Sequence, residues 1–335
     1  MSFKAIIAVV VIAVIGWSAY WWINASIRRD AVETWFAERQ ADGWIAEYGD
    51  LSVTGYPNRV DTILTDVTLA DPESGWSWQG PRFEMLTLSY QPFEIIAVWP
   101  GEHTIASPLQ RLTVAGDVLR ASLAVSANGD FELNRSRIEG RDVTIGSTAG
   151  WRVEVPELAV ASEQPEGVSD ATQHRLGLTL TNFTLSGDLR RQFDPTNILP
   201  ASVETVHVDA LATFDTPVSL RTLERDPPLL DALDIADVSA VWGQLDLRAQ
   251  GDLSADAQGF AEGRLNVRAR NWEDMLALAV ANGALDASAA RAAQFGLGLL
   301  ASAGGDRNTL DAPLTFSGGV TRIGPLPLGE APRMR

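Results

Sequence analysis

The chain opens with an uninterrupted apolar run, Ala5–Ile23, and alternating or amphipathic patterns begin only after it. The run has 19 residues and no charge. As an α-helix it is about 28 Å long, close to the ~30 Å hydrocarbon core of a bilayer. Aromatic side chains gather at its C-terminal end, as at a membrane–water interface. The pattern predicts a transmembrane anchor over residues 1–24, formed by Lys4, Ile6, Val10, Val14, Trp17, Tyr20, Trp21 and Trp22.

A cleaved signal peptide is the alternative interpretation of this run. Such a signal has an apolar stretch of about 7–15 residues, followed by small residues at the cleavage site. Here the run is longer and ends in bulky rings, and Ile23-Asn24-Ala25 is a weak cleavage candidate. The run therefore favours an uncleaved anchor.

Orientation rests on two opposing signals. Arg28, Arg29 and Arg39 follow the run, and a positive-inside count would leave the C-terminal part in the cytoplasm. Lys4 followed at once by apolar residues is instead the layout of a secretory signal. We predict a single-pass protein of the inner membrane with its C-terminal domain in the periplasm.

Beyond the anchor, the hydrophobic pattern changes from a helical period to an alternating one. Apolar positions between Ala31 and Phe36 recur at helical spacing and predict a stalk helix over residues 25–48, with its helical pattern running to Ala46. From Leu51 onwards short alternating segments predict an exported β-rich domain over residues 49–335. A division of that domain into two lobes near residues 186–202 is one option.

The clearest strands come late in the chain. The segments Leu245–Ala249 and Leu265–Ala269 alternate apolar residues with charged or polar ones, so that each strand has one apolar face. Residues 272–302 have a helical pattern, and Leu220–Leu233 has a weaker one. The predicted fold is mainly β, a large, twisted, mostly antiparallel sheet or a sandwich. Its candidate apolar groove is lined by Leu245, Leu247, Leu265 and Val267.

Composition restricts the partners of this domain. The net charge is −17, Lys4 is the single lysine, and cysteine is absent. An acidic surface repels nucleic acid and anionic headgroups, so no nucleic-acid partner is expected. Without cysteine there are no disulfides, thiol nucleophiles or cysteine-ligated metals.

The sequence contains no recognisable catalytic motif. No Gly-x-Ser-x-Gly elbow, His-Glu-x-x-His helix or phosphate-binding glycine loop is present. His207 and Asp209 would share one face of a strand and could offer two metal ligands, but a solvated polar pair fits the same spacing. Trp76 and Trp78 likewise share a face, as core residues or as a stacking platform. We assign no catalytic, cofactor-binding or metal-binding residue, and no cofactor.

Several segments resemble a known bacterial family. They are Val53–Asp61, Tyr90–Phe93 with Ile96–Trp99, the ending Gly324–Pro332, and Gly251–Leu276, in which two strands run into a helix. The chain resembles a Gram-negative family of uncharacterised, membrane-anchored periplasmic proteins that is distantly similar to the AsmA-like envelope proteins. The resemblance implies an exported β-rich domain on the inner membrane, and larger relatives are thought to hold or conduct lipid along β-grooves. It brings no catalytic residues.

Three functions remain open at this point. The first is a non-enzymatic envelope protein, attached to the membrane, with a lipid ligand whose acyl chains lie on an apolar groove. The second is an interaction or assembly module with a closed core, which binds an envelope protein partner through loops such as Glu163–Gln173. The third, a hydrolase, would need His103, His174 or His207 to meet a carboxylate and a serine in a polar cleft.

Overall fold

The fold is mainly β. The computed structural model describes residues 3–167, 171–283, 287–324 and 326–335. With 52% strand and 23% helix it confirms the predicted class: antiparallel β-structure, an N-terminal apolar helix, and helices near residues 272–302. The chain divides into two compact units, residues 1–124 and 125–335. The division considered near residues 186–202 falls inside the second unit.

A single continuous helix, α1 (Phe3–Ala41), contains both the predicted anchor and most of the predicted stalk. It is long and apolar enough to cross a membrane by length and composition. The helix ends at Ala41 and not at Ala46, because Gly43 adopts a φ of +88°, a left-handed conformation that suits a helix C-terminus. Strand β1 follows almost at once.

The strands of the first unit pair antiparallel, with β3 next to β1, β2 and β4, and with β4 also next to β5 and β6. Strand β6 pairs with β7, and β5 with β8. The strands are β1 (Ile45–Glu47), β2 (Asp50–Thr54), β3 (Asp61–Asp71), β4 (Trp76–Leu88), β5 (Gln91–Val98), β6 (His103–Ala106), β7 (Arg111–Ala115) and β8 (Val118–Val125).

In the second unit each strand from β9 to β18 pairs antiparallel with the next strand along the chain. The elements are β9 (Leu133–Ser147), β10 (Trp151–Glu163), β11 (Gln173–Ser186), α2 (Gly187–Phe193), β12 (Ser202–Phe214), α3 (Leu220–Arg225), β13 (Leu230–Trp242), β14 (Leu245–Ala255), β15 (Ala261–Arg270), α4 (Trp272–Ala281), α5 (Ala287–Ala303), β16 (Thr309–Ser317), β17 (Val320–Ile323) and β18 (Leu326–Glu330). The loop Glu163–Gln173 lies partly outside the described residues.

The weak helix predicted over Leu220–Leu233 is wrong in its second half. Helix α3 begins with a capping box between Ser219 and Thr222 and ends at Arg225, and β13 starts at Leu230. Pro227 and Pro228 separate the two elements, since proline cannot continue a helix as a hydrogen-bond donor. A register irregularity between Ile235 and Val238 then interrupts the alternation of β13.

Candidate functional site

Strand register in the second unit aligns apolar side chains into rows across the sheet. The first row runs across β10 to β14, where the residues that stand opposite one another are Leu158, Leu180, Val206, Ala240 and Leu247. Residues directly opposite in neighbouring strands point to the same face. A second row lies two residues along each strand. We call these two rows the apolar face: Leu158, Leu180, Val206, Ala240 and Leu247, with Val160, Leu178, Val208, Val238, Ala249 and Val267.

The opposite face of the same strands is polar and carries ion pairs. Arg175 on β11 forms a bidentate ion pair with Asp209 on β12, at 2.8 and 2.5 Å. Arg268 on β15 pairs with Asp311 on β16 at 2.8 Å. The two faces of this sheet therefore differ sharply in polarity, as expected when only one face meets apolar matter.

The centre of the apolar face is half exposed. The Leu and Val side chains of β10 to β13 in these rows are all intermediate in burial, and Leu247 is 38% exposed. On β9 the next residue of the second row, Ile138, is 42% exposed. Half-exposed aliphatic side chains in adjoining rows form an apolar surface that a ligand can cover.

One side of this face is covered by helices. Ala269 and Leu310 on β15 and β16 are buried against Trp272 of α4 and against Leu297 and Ala301 of α5. The predicted groove residues differ in burial, because some lie in packed parts of the sheet and others in the exposed part of the apolar face. Leu245 is buried and Leu265 packs beside a second cluster around Phe316, whereas Leu247 and Val267 stay partly exposed.

The first unit contains an apolar cavity of about 350 Å³ between α1 and strands β3 and β4. Trp78 forms part of its wall and stacks on the His103 ring, whose centroid is 5.8 Å away. Trp76, on the same strand, is 55% exposed. The lining is entirely hydrophobic side chains: Ala31, Val32, Trp35, Phe36, Leu64, Val67, Leu69, Trp78, Phe83 and Met85.

The predicted anchor residues fall into two groups. Every residue from Phe3 to Trp17 is exposed, which includes Lys4, Ile6, Val10 and Val14. Trp22 is also exposed, but Trp21 is 5% exposed and packs against Ala25 and Val60. The aromatic end of the run thus packs partly against protein and is partly exposed. The sequence pattern of the run does not indicate these protein contacts.

His174 and His207 each lie beside a hydroxyl group on a neighbouring strand. The His174 ring is fully buried, with Nδ1 3.0 Å from the Ser162 hydroxyl, and its Nε2 has no hydrogen-bond partner among the described residues. His207 Nδ1 lies 3.1 Å from the Thr179 hydroxyl, while Asp209 is held by Arg175. Within the described part of the chain no three His, Cys, Asp or Glu residues form a group that could hold a metal.

Burial of His174 gives the protein an acid-sensitive element. Burial lowers the pKa of His174, so the native state holds a neutral ring while the unfolded chain titrates near pH ~6.5. At a pH between the native and the unfolded pKa values of His174, the unfolded state binds more protons than the native state. The free energy of unfolding therefore falls as the pH falls below about 6.5. We expect the urea midpoint of the detergent-solubilised chain to drop from pH 7 to pH 5, with a smaller drop in His174→Gln. An equal drop in both proteins would contradict this assignment.

A buried carboxylate, missed by the sequence analysis, organises the segment after α2. Asp194 is 1% exposed and accepts hydrogen bonds from the backbone N–H groups of Ile198 and Leu199 and from the Thr196 hydroxyl. Arg190 pairs with it at 2.9 Å. Burial raises the pKa of Asp194, but these hydrogen bonds and the Arg190 charge outweigh burial, and the net pKa is lowered. All of these partners of Asp194 lie within residues 190–199, so the network has a structural role in this segment.

Comparisons with known proteins complete the description of the chain. Comparison with curated proteins and with solved structures gave no significant match. A family model described as an uncharacterised protein conserved in bacteria, DUF2125, matches residues 21–332. That match includes the second half of α1 and nearly all of the β-structure of both units. The chain therefore belongs to the uncharacterised bacterial family DUF2125.

Proposed function

We propose that this protein is a non-enzymatic envelope protein, anchored in the inner membrane by α1, whose second unit binds lipid acyl chains on the apolar face. The observation that carries the proposal is the half-exposed apolar face on β10 to β14, opposite a face of ion pairs. A contiguous apolar surface of this kind is uncommon on soluble proteins unless it has a partner. This assignment also agrees with the distant AsmA-like resemblance of the sequence.

The chemistry of the face favours a hydrocarbon ligand. Its central side chains are Leu, Val and Ala, which offer no hydrogen bond or charge. Arg175 on β11, Arg248 on β14 and Arg268 on β15 point to the other face. Covering apolar surface contributes about 25 cal/mol per Å². A ligand that lacks polar groups along its length gains most from such a surface, and an acyl chain has this property.

The location in the periplasm remains part of the proposal. Helix α1 has the length and composition to cross a membrane, and Lys4 precedes the apolar run directly. A domain tethered to a bilayer by one helix is supplied with lipid at high local concentration. The net charge of −17 gives the domain no general electrostatic attraction to anionic lipid, so α1 would provide the attachment.

Photo-crosslinking from neighbouring positions on β12 tests the proposal. Val208 lies on the apolar face and His207 on the polar face, because successive strand residues point to opposite sides. With p-benzoylphenylalanine at position 208 in cells, we expect lipid adducts on the purified protein by mass spectrometry. The same amino acid at position 207 should yield none.

Other outcomes of this experiment are equally informative. A protein adduct at position 208 without lipid would support the alternative, an interaction or assembly module for an envelope protein partner. Equal lipid labelling at positions 207 and 208 would contradict a specific apolar face. Labelling at neither position would show that the face has no occupant, and the proposed function would be wrong.

A further inference from the structure

Helix α1 contacts the β-strands and loops of the first unit from within its apolar run, well before the run ends. Trp17 Nε1 donates to the Pro57 carbonyl at 2.9 Å, and the Ser18 hydroxyl lies 2.8 Å from the Tyr56 hydroxyl. Tyr20 donates its hydroxyl proton to the Ser89 carbonyl at 2.9 Å.

The same contact continues one residue further along the helix. Trp21 Nε1 donates to the Arg59 carbonyl at 2.5 Å, and the Trp21 ring packs against Val60. Its edge also meets the Tyr56 ring, with centroids 5.6 Å apart. Two segments, which we call loops, therefore hold the aromatic end of the run. The first loop is Tyr56–Arg59, and the second loop is Ser89–Phe93, which comprises the turn between β4 and β5 and the first three residues of β5.

The length of the helix determines how deep these contacts lie. From Phe3 to Gly16, α1 measures about 21 Å at ~1.5 Å per residue, which is short of the ~30 Å hydrocarbon core. About 20 residues are needed to cross the core, so a spanning α1 needs the residues up to about Trp22. Trp17, Tyr20 and Trp21 then lie in one leaflet, and the two loops hydrogen-bonded to them lie at a similar depth.

The loops have side chains that suit this depth. Tyr56 is 51% exposed, Tyr90 is 61% exposed and Phe93 is 38% exposed. Tyrosine is enriched at membrane interfaces because its ring is apolar and its hydroxyl is polar. Exposed aromatic residues at the ends of strands are otherwise costly to leave in water.

The backbone of the loops is also prepared for a layer with little water. Unsatisfied carbonyl and N–H groups are expensive there. The carbonyl groups of Pro57, Arg59 and Ser89 accept the hydrogen bonds from α1 described above, and the Asn58 carbonyl accepts from the Ser89 N–H at 2.9 Å. These four backbone carbonyl groups of the loops are therefore already paired.

We propose that the loops Tyr56–Arg59 and Ser89–Phe93 are embedded in the headgroup and upper acyl layer of the membrane that α1 spans. This inference rests on the proposed membrane anchor. The first unit then sits directly on the bilayer, and α1 does not serve as a stalk that lifts it. The cavity residue Ala31 follows Trp21 by about 15 Å along the helix, so the cavity opens just above this layer.

Single-cysteine labelling tests the embedding, because the natural chain has no cysteine. The full-length protein is reconstituted in phosphatidylethanolamine–phosphatidylglycerol vesicles, with an environment-sensitive fluorophore at Tyr90→Cys, Val10→Cys or Leu109→Cys. Val10 reports on the anchor itself. Leu109, 93% exposed in the first unit, is the matched control for an exposed apolar side chain. Lipids with a nitroxide near the headgroup, or deep in the acyl chain, act as quenchers for shallow and deep positions respectively.

We expect blue-shifted emission and strong quenching at positions 10 and 90, and neither change at position 109. Quenching at position 10 with an aqueous spectrum at position 90 would overturn the embedded loops and leave the anchor intact. Aqueous spectra at both positions 10 and 90 would overturn the anchor, and the embedding with it. Quenching at all three positions would mean that the exposed apolar residues adsorb without specificity, which also contradicts the proposal.

Discussion

Replacing Asp194 by alanine is expected to destabilise the second unit by about 3–5 kcal/mol, the usual cost of leaving one partner of a buried ion pair without the other. Arg190 would remain with a side chain that is only 13% exposed. The backbone N–H groups of Ile198 and Leu199 would lose their acceptor. Each donor left without an acceptor adds to the cost.

Urea unfolding of the full chain in detergent measures this effect, with tryptophan fluorescence as the signal. Trp242 is a local reporter, since the Arg190 guanidinium lies 5.1 Å from its ring centroid. Asp188→Ala is the matched control on the same helix. Asp188 pairs with Arg191, but both side chains are mostly exposed, and exposed pairs contribute about 0–1 kcal/mol. Equal midpoints for the two variants would show that the Asp194 network does not stabilise the fold.

Replacing Val208 by arginine is expected to weaken lipid binding strongly while the sheet stays folded. Val208 stands between Leu178 on β11 and Val238 on β13 in the second row of the apolar face. Placing an arginine in a hydrocarbon environment costs about 2.5–3.5 kcal/mol. Since about 1.4 kcal/mol changes an equilibrium tenfold, we expect lipid retention to fall by roughly two orders of magnitude.

The control variant introduces the same charge one residue away. His207→Arg places a guanidinium on the polar face, where Arg175 and Asp209 already form an ion pair. Lipid per mole of protein, measured by mass spectrometry after mild extraction, should match the parent protein in this variant. Circular dichroism checks that both variants keep their strand content. Loss of lipid in both, or in neither, would contradict binding on the apolar face.

The local sequence predicts the parts of the fold whose hydrophobic period is uninterrupted. Strands β14 and β15 alternate strictly, and their pairing of Leu247 with Ala269 places the predicted apolar side chains on one face. The sequence pattern does not predict strand β13. The register irregularity between Ile235 and Val238 interrupts the alternation of apolar and polar positions along this strand. The apolar face was thus recognised at β14 and β15 but not across its centre.

The residues that remain exposed in the candidate site are determined by which strands and helices pack against each strand. Leu245 and Leu247 are equivalent in the sequence pattern, but Leu245 is buried and Leu247 is exposed. The sequence pattern predicts a short break over Gln192–Leu199 with one helical turn near Asp194-Pro195, and nothing in it indicates that Asp194 is buried with Arg190. Burial is a property of the packed chain, so local periodicity cannot separate these cases.

By itself, the sequence determined the class of this protein: an N-terminal apolar helix of membrane-spanning length, followed by β-structure with one-sided strands and no recognisable catalytic motif. These properties follow from local composition and period. Tertiary structure alone decided that α4 and α5 cover one side of the apolar face and leave its centre half exposed. It also decided that Trp17 and Trp21 hold one loop of the first unit and that Tyr20 holds another. Both results depend on contacts between residues that are far apart in the chain. Only the folded backbone brings these side chains together.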